Sequence, residues 1–310
     1  MTASSRAVSL GRVLCPTDFS EFSAAAVSYA AALAGTYGAA LRLLHVITPF
    51  PIVAPYANLP GDLRLFELQR EQAARGLAAE AARVRGAGVT VDTECRDGHT
   101  VREVLDAAAA FGADVIVLGT HGRGGFERLV LGSVTEKVLR QAPCAVLTVP
   151  RAAIGREPGA VRWSRILCAH DGSAASQDGV DYAVSLAERT GAHLLLLSVV
   201  EQVPYGGDFT SPEYAAFRKE RERHAVDALD HALEPGVRAR LAVTDRVVYG
   251  KPSRQILEVA AQESADVIVL GIQGRGAVDL AMFGSTTNAV VRHAEHPVLT
   301  VRRAAAGAQP

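Results

Sequence analysis

Short runs of consecutive apolar residues alternate along the chain with longer segments in which apolar residues recur at helical spacing. Runs such as Val115-Ile116-Val117-Leu118 lack polar alternation, which is typical of parallel strands that are covered on both faces. A regular succession of strand and helix favours right-handed crossovers and a doubly wound sheet. The pattern therefore predicts an α/β fold.

Each half of the chain is predicted to hold five strands with helices between them. The first-half strands are Val13–Cys15, Leu41–Ile47, Val89–Cys95, Asp114–Gly119 and Ala145–Val149, and the helices are Ser20–Tyr37, Leu63–Arg85, Val101–Phe111 and Ser133–Gln141. The second-half strands are Ile166–Ala169, His193–Val200, Ala239–Val248, Asp266–Gly271 and Val298–Val301. In such sheets, ligands bind beyond the carboxyl ends of the strands, and we expect the functional site there.

An internal repeat accounts for this symmetry. The heptapeptide Ala113–Gly119 recurs unchanged as Ala265–Gly271, and 12 of the 21 positions that begin at these alanines are identical. Average composition would give about one or two identities. We therefore predict two duplicated domains, residues 7–150 and 161–303, joined by a loop from Pro150 to Val161.

Composition excludes several classes of function. The chain has 310 residues with 32 Lys+Arg against 33 Asp+Glu and only 5% aromatic residues, which argues against a dedicated nucleic-acid binder. Its four cysteines have neither metal-ligand nor disulfide-framework spacing, so no metal site is predicted. The apolar stretches are too short or too rich in alanine for a membrane span, and Met1–Gly11 does not resemble a signal peptide. We expect a cytoplasmic protein that contacts no membrane.

One glycine pattern of the form G-x-x-G-x9-G-S follows the fourth strand in each half. Glycine lets backbone amides approach a phosphate closely, and a helix that begins at Gly-Ser presents free amides and a positive dipole end. Arg123 and Arg275 lie where a cation would meet phosphate oxygens. The pattern predicts phosphate binding in both halves, although Ser133 and Ser285 would also serve as helix N-caps.

These features together resemble the universal stress protein family. The resemblance rests on Pro16-Thr17-Asp18-Phe19-Ser20, on Leu44-His45-Val46 and on the glycine pattern, and it extends from about Arg12 to Arg302. Two such units in succession resemble the tandem members of that family. The resemblance implies a five-stranded parallel sheet of order 3-2-1-4-5 with helices on both faces. For members with the glycines it implies binding of ATP, with any Mg²⁺ carried by the phosphates.

The resemblance also implies a set of nucleotide-binding residues in each half. The first-half set is Pro16, Asp18, Val46, Leu118, Gly119, Gly122, Gly132, Ser133 and Val134, with Arg123 beside them. The second-half set is Ala169, Asp171, Val199, Leu270, Gly271, Gly274, Gly284, Ser285 and Thr286, with Arg275 beside them. The second half departs from the first because Ala169-His170 replaces Pro16-Thr17 and Ser198 replaces His45.

Some of these residues have two interpretations. Asp18 and Asp171 would either cap the following helix or contact the ribose or base of a nucleotide. His45 and His121 have no counterparts in the second half, where Ser198 and Gln273 stand, which favours a structural role over a catalytic one. The charges of helix Leu63–Arg85 are mixed in sign and indicate a solvated face.

The function predicted from the sequence is an ATP-binding stress-response regulator with slow hydrolysis or none, because no general base, metal cluster or paired carboxylates accompany the phosphate site. No catalytic residue is predicted, and at most a weak ATPase is expected. The alternatives are a nucleotide-free interaction scaffold or, less favoured, an ATP-dependent phosphotransferase or ligase. The apolar last strands predict that the halves pair about a pseudo-two-fold axis. A further homodimer and an unidentified protein partner remain open.

Overall fold

The computed structural model describes residues 10–48, 60–122, 131–155, 161–201, 212–272 and 284–302. These residues divide into two compact units, one within Ser9–Val161 and the other from Arg162 onward. Each unit is an α/β sandwich in its own right.

The first unit is a parallel sheet with two helices on each side. Its elements in chain order are β1 (Arg12–Pro16), α1 (Glu21–Tyr37), β2 (Ala40–Ile47), α2 (Pro60–Gly86), β3 (Val91–Asp97), α3 (Thr100–Phe111), β4 (Val115–Gly119), α4 (Ser133–Gln141) and β5 (Ala145–Val149). The strand order is β3-β2-β1-β4-β5, with every described pair parallel. Helix α1 packs with α2 and α3 packs with α4. Right-handed crossovers place these two helix pairs on opposite faces.

The second unit repeats the architecture. Its elements are β6 (Arg165–Ala169), α5 (Ala174–Thr190), β7 (His193–Val200), α6 (Pro212–His231), α7 (Val237–Arg240), β8 (Val243–Tyr249), α8 (Pro252–Gln262), β9 (Val267–Ile272), α9 (Ser285–His293) and β10 (Val298–Arg302). The strand order is β8-β7-β6-β9-β10. Numbered within its own unit, each sheet therefore has the order 3-2-1-4-5, and the predicted α/β fold is confirmed.

The structure differs from the sequence prediction at several element boundaries, among them those of two strands, and within the joining loop. Strand β3 begins at Val91 and continues to Asp97, two residues later than predicted at both ends. The predicted strand Ala239–Val248 begins only at Val243, because the preceding residues form the single helical turn α7, which Leu241 closes by donating its amide to the Val237 carbonyl. The joining loop contains a short 3₁₀ helix over Arg151–Ala153.

Burial of the central strands explains their unbroken apolar sequence. Every residue of β4 and β5 is buried, as both faces of the sheet are covered by helices. Cys15 and Cys168 lie in β1 and β6 without any exposed surface, and burial raises the pKa of both thiols. Within the described ranges, no helix is long and apolar enough to cross a membrane.

The aspartate of the repeated heptapeptide has a structural role at the amino-terminal edge of the sheet. Asp114 Oδ2 accepts hydrogen bonds from the amides of Gly11 (2.7 Å) and Arg12 (2.9 Å). In the second unit, Asp266 Oδ2 accepts from Ser164 and Arg165 at the same two distances. Each carboxylate thus ties the start of a first strand to the start of its neighbour, which accounts for the aspartate in both copies.

Asp114→Ala is expected to lower the free energy of unfolding of the first unit by about 1–3 kcal/mol, because two backbone donors lose a charged acceptor. Chemical denaturation measures the loss. The matched control is Asp106→Ala, which removes only an exposed ion pair with Arg102 and should cost less than about 1 kcal/mol. Equal losses in the two variants would contradict this account of the repeat.

Candidate functional site

A cavity of about 960 Å³ opens at the carboxyl ends of β1, β2 and β4, where α4 begins. It is lined by all the described residues that the sequence predicts for the first half. These are Pro16, Asp18, Val46, Leu118, Gly119, Gly122, Gly132, Ser133 and Val134. Arg123 lies outside the described residues. Parallel strands bring these positions together because all their carboxyl ends meet at one edge of the sheet.

The turn after β1 holds Asp18 in place. Asp18 Oδ1 accepts hydrogen bonds from the amide of Ser20 (3.1 Å) and from its hydroxyl (2.6 Å). Ser20 in turn caps α1, since its side chain accepts from the Ser23 amide. The interpretation of Asp18 as the N-cap is therefore wrong, and its carboxylate supports the capping serine from the side. Ser173 caps α5 in the same way, so the N-cap interpretation of Asp171 is wrong as well.

Helix α4 begins at the wall of the cavity. Its N-cap is Gly132 rather than the predicted Ser133, which is the first helical residue. The Gly132 amide donates to the Thr120 carbonyl (2.8 Å), and Thr135 Oγ1 donates to the Gly119 carbonyl (2.7 Å). These bonds fix the helix start against the end of β4. The first amides of a helix have no intrahelical acceptor, so those of Ser133 and Val134 are of the kind that can donate to an anion.

Glycine at position 122 leaves room for the aspartate across the cavity. A Cβ atom added to Gly122 would lie 3.1 Å from Asp18 Oδ2. A side chain there would require the carboxylate to shift by a few tenths of an ångström, so glycine at position 122 favours the close approach of these two parts of the predicted site. This contact joins the turn after β1 to the glycine loop.

Two histidine rings also line the cavity. His45 Nδ1 donates to the Thr17 carbonyl (2.7 Å), and the ring is stacked on Phe19 with centroids 4.4 Å apart. His121 Nδ1 lies 3.0 Å from Thr120 Oγ1. Burial lowers the pKa of His121, and the Arg151 cation lowers it further. His121 is therefore a neutral ring near pH 7. The structural role predicted for His45 and His121 fits these contacts but stays a prediction.

The second unit places its described positions at the same edge, but with looser connections. They are Ala169, Asp171, Val199, Leu270, Gly271, Gly284, Ser285 and Thr286, while Gly274 and Arg275 lie outside the described residues. Gly284, not Ser285, is the N-cap of α9. Among the described residues, no bond equivalent to Gly132–Thr120 or Thr135–Gly119 joins α9 to β9.

The replacement of Thr17 by His170 changes the polar network of the second unit. His170 is buried, and its Nδ1 lies 3.0 Å from Ser176 Oγ. Burial lowers the pKa of His170. Burial raises the pKa of Asp171, but hydrogen bonds from Ser173 and Ser176 lower it more, so the carboxyl is acidified overall. The carboxylate at this edge is thus charged near pH 7, as the site prediction requires.

Helix α2 supplies part of the cavity wall that the sequence analysis missed. Gln69, Gln72 and Ala73 line the cavity, although this helix was predicted to present a solvated face. Gly76 continues the same line at helical spacing. A stripe of uncharged residues at i, i+3, i+4 and i+7 within a charged helix is the signal that could have shown it.

No metal centre is formed by the described residues: none of their His, Cys, Asp and Glu side chains gather in groups of three or more suited to a metal ion. The cavity polar groups described above are instead amides, hydroxyls, two histidine rings and one aspartate. Such a set is suited to a ligand that carries its own charge, rather than to a bare cation.

Comparison with known proteins supports the same grouping. The sequence profile of the Universal stress protein family matches residues 10–150 and 162–302. The chain belongs to the Universal stress protein family. A universal stress protein of Mycolicibacterium smegmatis is 31% identical over 300 residues, which cover 94% of this chain and 96% of the relative. Another from Methanocaldococcus jannaschii is 34% identical over 143 residues, covering 45% of this chain and 82% of the relative.

The fold is similar to that of solved universal stress proteins. The crystal structure of one from Archaeoglobus fulgidus matches with a TM-score of 0.68 at 24% identity, covering 96% of this chain and 100% of that one. One described as putative, from Pseudomonas aeruginosa, gives a TM-score of 0.62 at 18% identity and covers 95% and 94% of the two chains. These similarities show that the chain has the fold of those proteins.

Proposed function

We propose that the first unit binds ATP in the cavity at the carboxyl edge of its sheet. The observation that carries the proposal is that all nine described first-half residues implied by the family resemblance line one cavity. Its volume of about 960 Å³ lies at the upper end of the range common for small-molecule sites, about 300–1,000 Å³. The cavity therefore has room for a nucleoside triphosphate.

The residues present fit a triphosphate at one end of the cavity. The free amides of Ser133 and Val134 and the positive end of α4 attract phosphate oxygens. A Cβ atom at Gly132 would lie 3.2 Å from the Thr120 carbonyl, so any larger residue would crowd this cradle. Bound ATP would supply the negative charge that this helix end attracts and a purine base for the end near Val46.

Binding rather than catalysis is the proposed role. Around the predicted phosphate end, the described lining offers the Asp18 carboxylate and the His121 ring, and burial together with the Arg151 cation lowers the pKa of His121, which makes the ring a weaker base. Asp18 Oδ1 accepts two hydrogen bonds from Ser20, which lower the basicity of a carboxylate. We therefore propose a stress-response regulator in which ATP binding changes the affinity for a protein partner. The names of its relatives support the stress-response role.

Purified protein is expected to bind ATP and to release phosphate from it slowly or not at all. Calorimetric titration measures the binding, and a phosphate-release assay measures the turnover. Tight binding with little release supports the proposal. Absence of binding would favour the nucleotide-free scaffold, and rapid transfer of phosphate to water or to a second substrate would favour the phosphotransferase or ligase.

The second unit is proposed to bind ATP as well, but more weakly. It retains glycines at the matching positions and a charged Asp171, whereas the bonds that tie α4 to β4 have no described equivalent at α9. Pairing of the last strands, a further homodimer and a cytoplasmic location stay predictions. The expected stoichiometry is two ATP molecules per chain with unequal affinities.

A further inference from the structure

Phe19 is held in a backbone conformation that its side chain disfavours. Its φ is +61°, and Ser264 is the one other non-glycine residue with positive φ in the described part of the chain. The corresponding residue of the second unit is Gly172, with φ +82°, which shows that the turn itself demands this conformation. Residues strained in this way cluster at functional sites, where surrounding contacts hold them.

Contacts on two sides hold the Phe19 ring. One face is stacked on His45, whose Nδ1 is anchored to the Thr17 carbonyl. On another side, a Cβ atom added to Gly76 would lie 2.7 Å from Phe19 Cε1 and Cζ. Glycine in the middle of a helix is unfavourable, so its presence here is explained by the ring that lies against it.

In the second unit, the corresponding helix packs on the corresponding turn without an aromatic ring. A Cβ atom on Gly172 would lie 3.4 Å from Ala228 Cβ on α6, and Ser198 takes the place of His45. A small pair therefore suffices to pack the helix onto the turn.

The Phe19–Gly76 contact sets the position of one face of α2. Gln69, Gln72 and Ala73 lie on the same face as Gly76 and line the cavity. Helix α2 packs on β2 and β3, whereas the phosphate-binding end lies beside β4, on the opposite side of β1. If a nucleotide places its phosphates at the start of α4 and extends across the end of β1, its base therefore lies beside α2.

The two glutamines are suited to contact a base. Gln69 is half-buried and Gln72 is exposed, and both line the cavity, so their amides are accessible to a bound ligand. An amide side chain offers one donor and one acceptor side by side, which matches the amino group and ring nitrogen of adenine. At the edge that carries N7, adenine presents a donor and an acceptor whereas guanine presents two acceptors, so an amide that both donates and accepts at this edge distinguishes the two purines.

We infer that Gln69 and Gln72 select the base of the bound nucleotide and that Phe19, seated on Gly76, is the positioning residue that holds them over it. The inference rests on the proposed ATP binding and deepens it. It assigns adenine selectivity to the first unit, since the second unit has Gly172 and Ala228 instead. Phe19 itself lines the cavity, but the role assigned to it here acts through α2.

A double-mutant cycle tests the positioning role. Gly76→Ala should displace the ring and weaken ATP binding about tenfold or more, with some loss of stability. Combining Phe19→Gly with Gly76→Ala reproduces the small pair of the second unit, and should restore stability while ATP binding stays weak. The variants are compared by calorimetric titration and by chemical denaturation of the full chain.

Base selectivity tests the glutamines themselves. Gln69→Leu and Gln72→Leu should lower the ratio of ATP to GTP affinity about tenfold in at least one variant, without loss of stability. Ala78→Leu, at an exposed position of the same helix, is the control and should leave the ratio unchanged. An unchanged ratio in both glutamine variants, or full ATP affinity in the Phe19→Gly/Gly76→Ala chain, would overturn the inference.

The proposed function and this inference fail in different ways. If the wild-type chain binds no ATP, or if the Gly132→Glu variant binds ATP as tightly as the wild type, the proposed phosphate site is wrong. If ATP binding depends on Gly132 but not on Gly76, Gln69 or Gln72, the phosphate site stands and the inference alone is overturned.

Discussion

Gly132→Glu is expected to remove ATP binding from the first unit. The new side chain places bulk and a negative charge at the N-cap of α4, where the amides of Ser133 and Val134 begin the helix. Loss of two charge-assisted hydrogen bonds, each about 1.5–3 kcal/mol, weakens binding about a hundredfold or more. Calorimetric titration of wild type and variant measures the change in affinity and in the number of sites.

Two controls separate lost binding from lost folding. Gly132→Ala adds a Cβ atom 3.2 Å from the Thr120 carbonyl but no charge, and should weaken binding less than the glutamate does. Gly284→Glu should remove only the weaker second site, because nothing lies within 4 Å of a Cβ atom there and the fold is left undisturbed. Wild-type affinity in Gly132→Glu would show that this helix end holds no phosphate.

The parts of the site that the sequence could predict are those close to a strand end. Pro16 and Gly119 end their strands and Val46 is the last residue but one of β2, and parallel strands bring their carboxyl ends to one edge whatever the details of packing. The glycine spacing then places a helix start beside them. Position along the chain therefore sufficed to gather these residues into one cavity.

Residues that reach the site by packing could not be predicted in this way. Gln69 and Gln72 arrive there because α2 lies against Phe19, and that contact depends on a glycine in the middle of a helix. The many charged residues of α2 dominate its sequence pattern, so the stripe of uncharged residues that lines the cavity was not recognised from the sequence. The shift of the N-cap from Ser133 to Gly132 is likewise a consequence of the bond between Gly132 and Thr120.

The two units share a fold but use their glycines differently. Gly119 of the first unit lines the cavity, whereas Gly271 lies directly under α5. A Cβ atom on Gly271 would come within 1.7 Å of the Ala175 carbonyl oxygen, and one on Gly179 would lie 2.8 Å from the Gly271 amide nitrogen. Helix α5 thus packs on β9 through backbone contacts, so Gly271 is required for the fold of the second unit whether or not it contacts a nucleotide.

Gly271→Ala is therefore expected to destabilise the second unit by about 3 kcal/mol or more, at the upper end of the cost of overpacking, because the obstructing atoms are backbone and one of the two elements must move. Chemical denaturation measures the loss. Hydrogen exchange of the α5 amides locates it, since these amides should exchange faster while those of α1 keep their protection.

A graded series of glycine variants shows whether the close approach is the cause. Gly119→Ala brings a Cβ atom 3.0 Å from the Phe22 carbonyl and should cost less than Gly271→Ala, while Gly284→Ala meets nothing within 4 Å and should cost least of the three. If all three variants lose similar stability, the close contact with α5 does not explain the glycine at position 271. If Gly271→Ala folds normally yet loses the second ATP site, Gly271 is a ligand-binding position, as the family resemblance implies, and the packing role assigned to it is wrong.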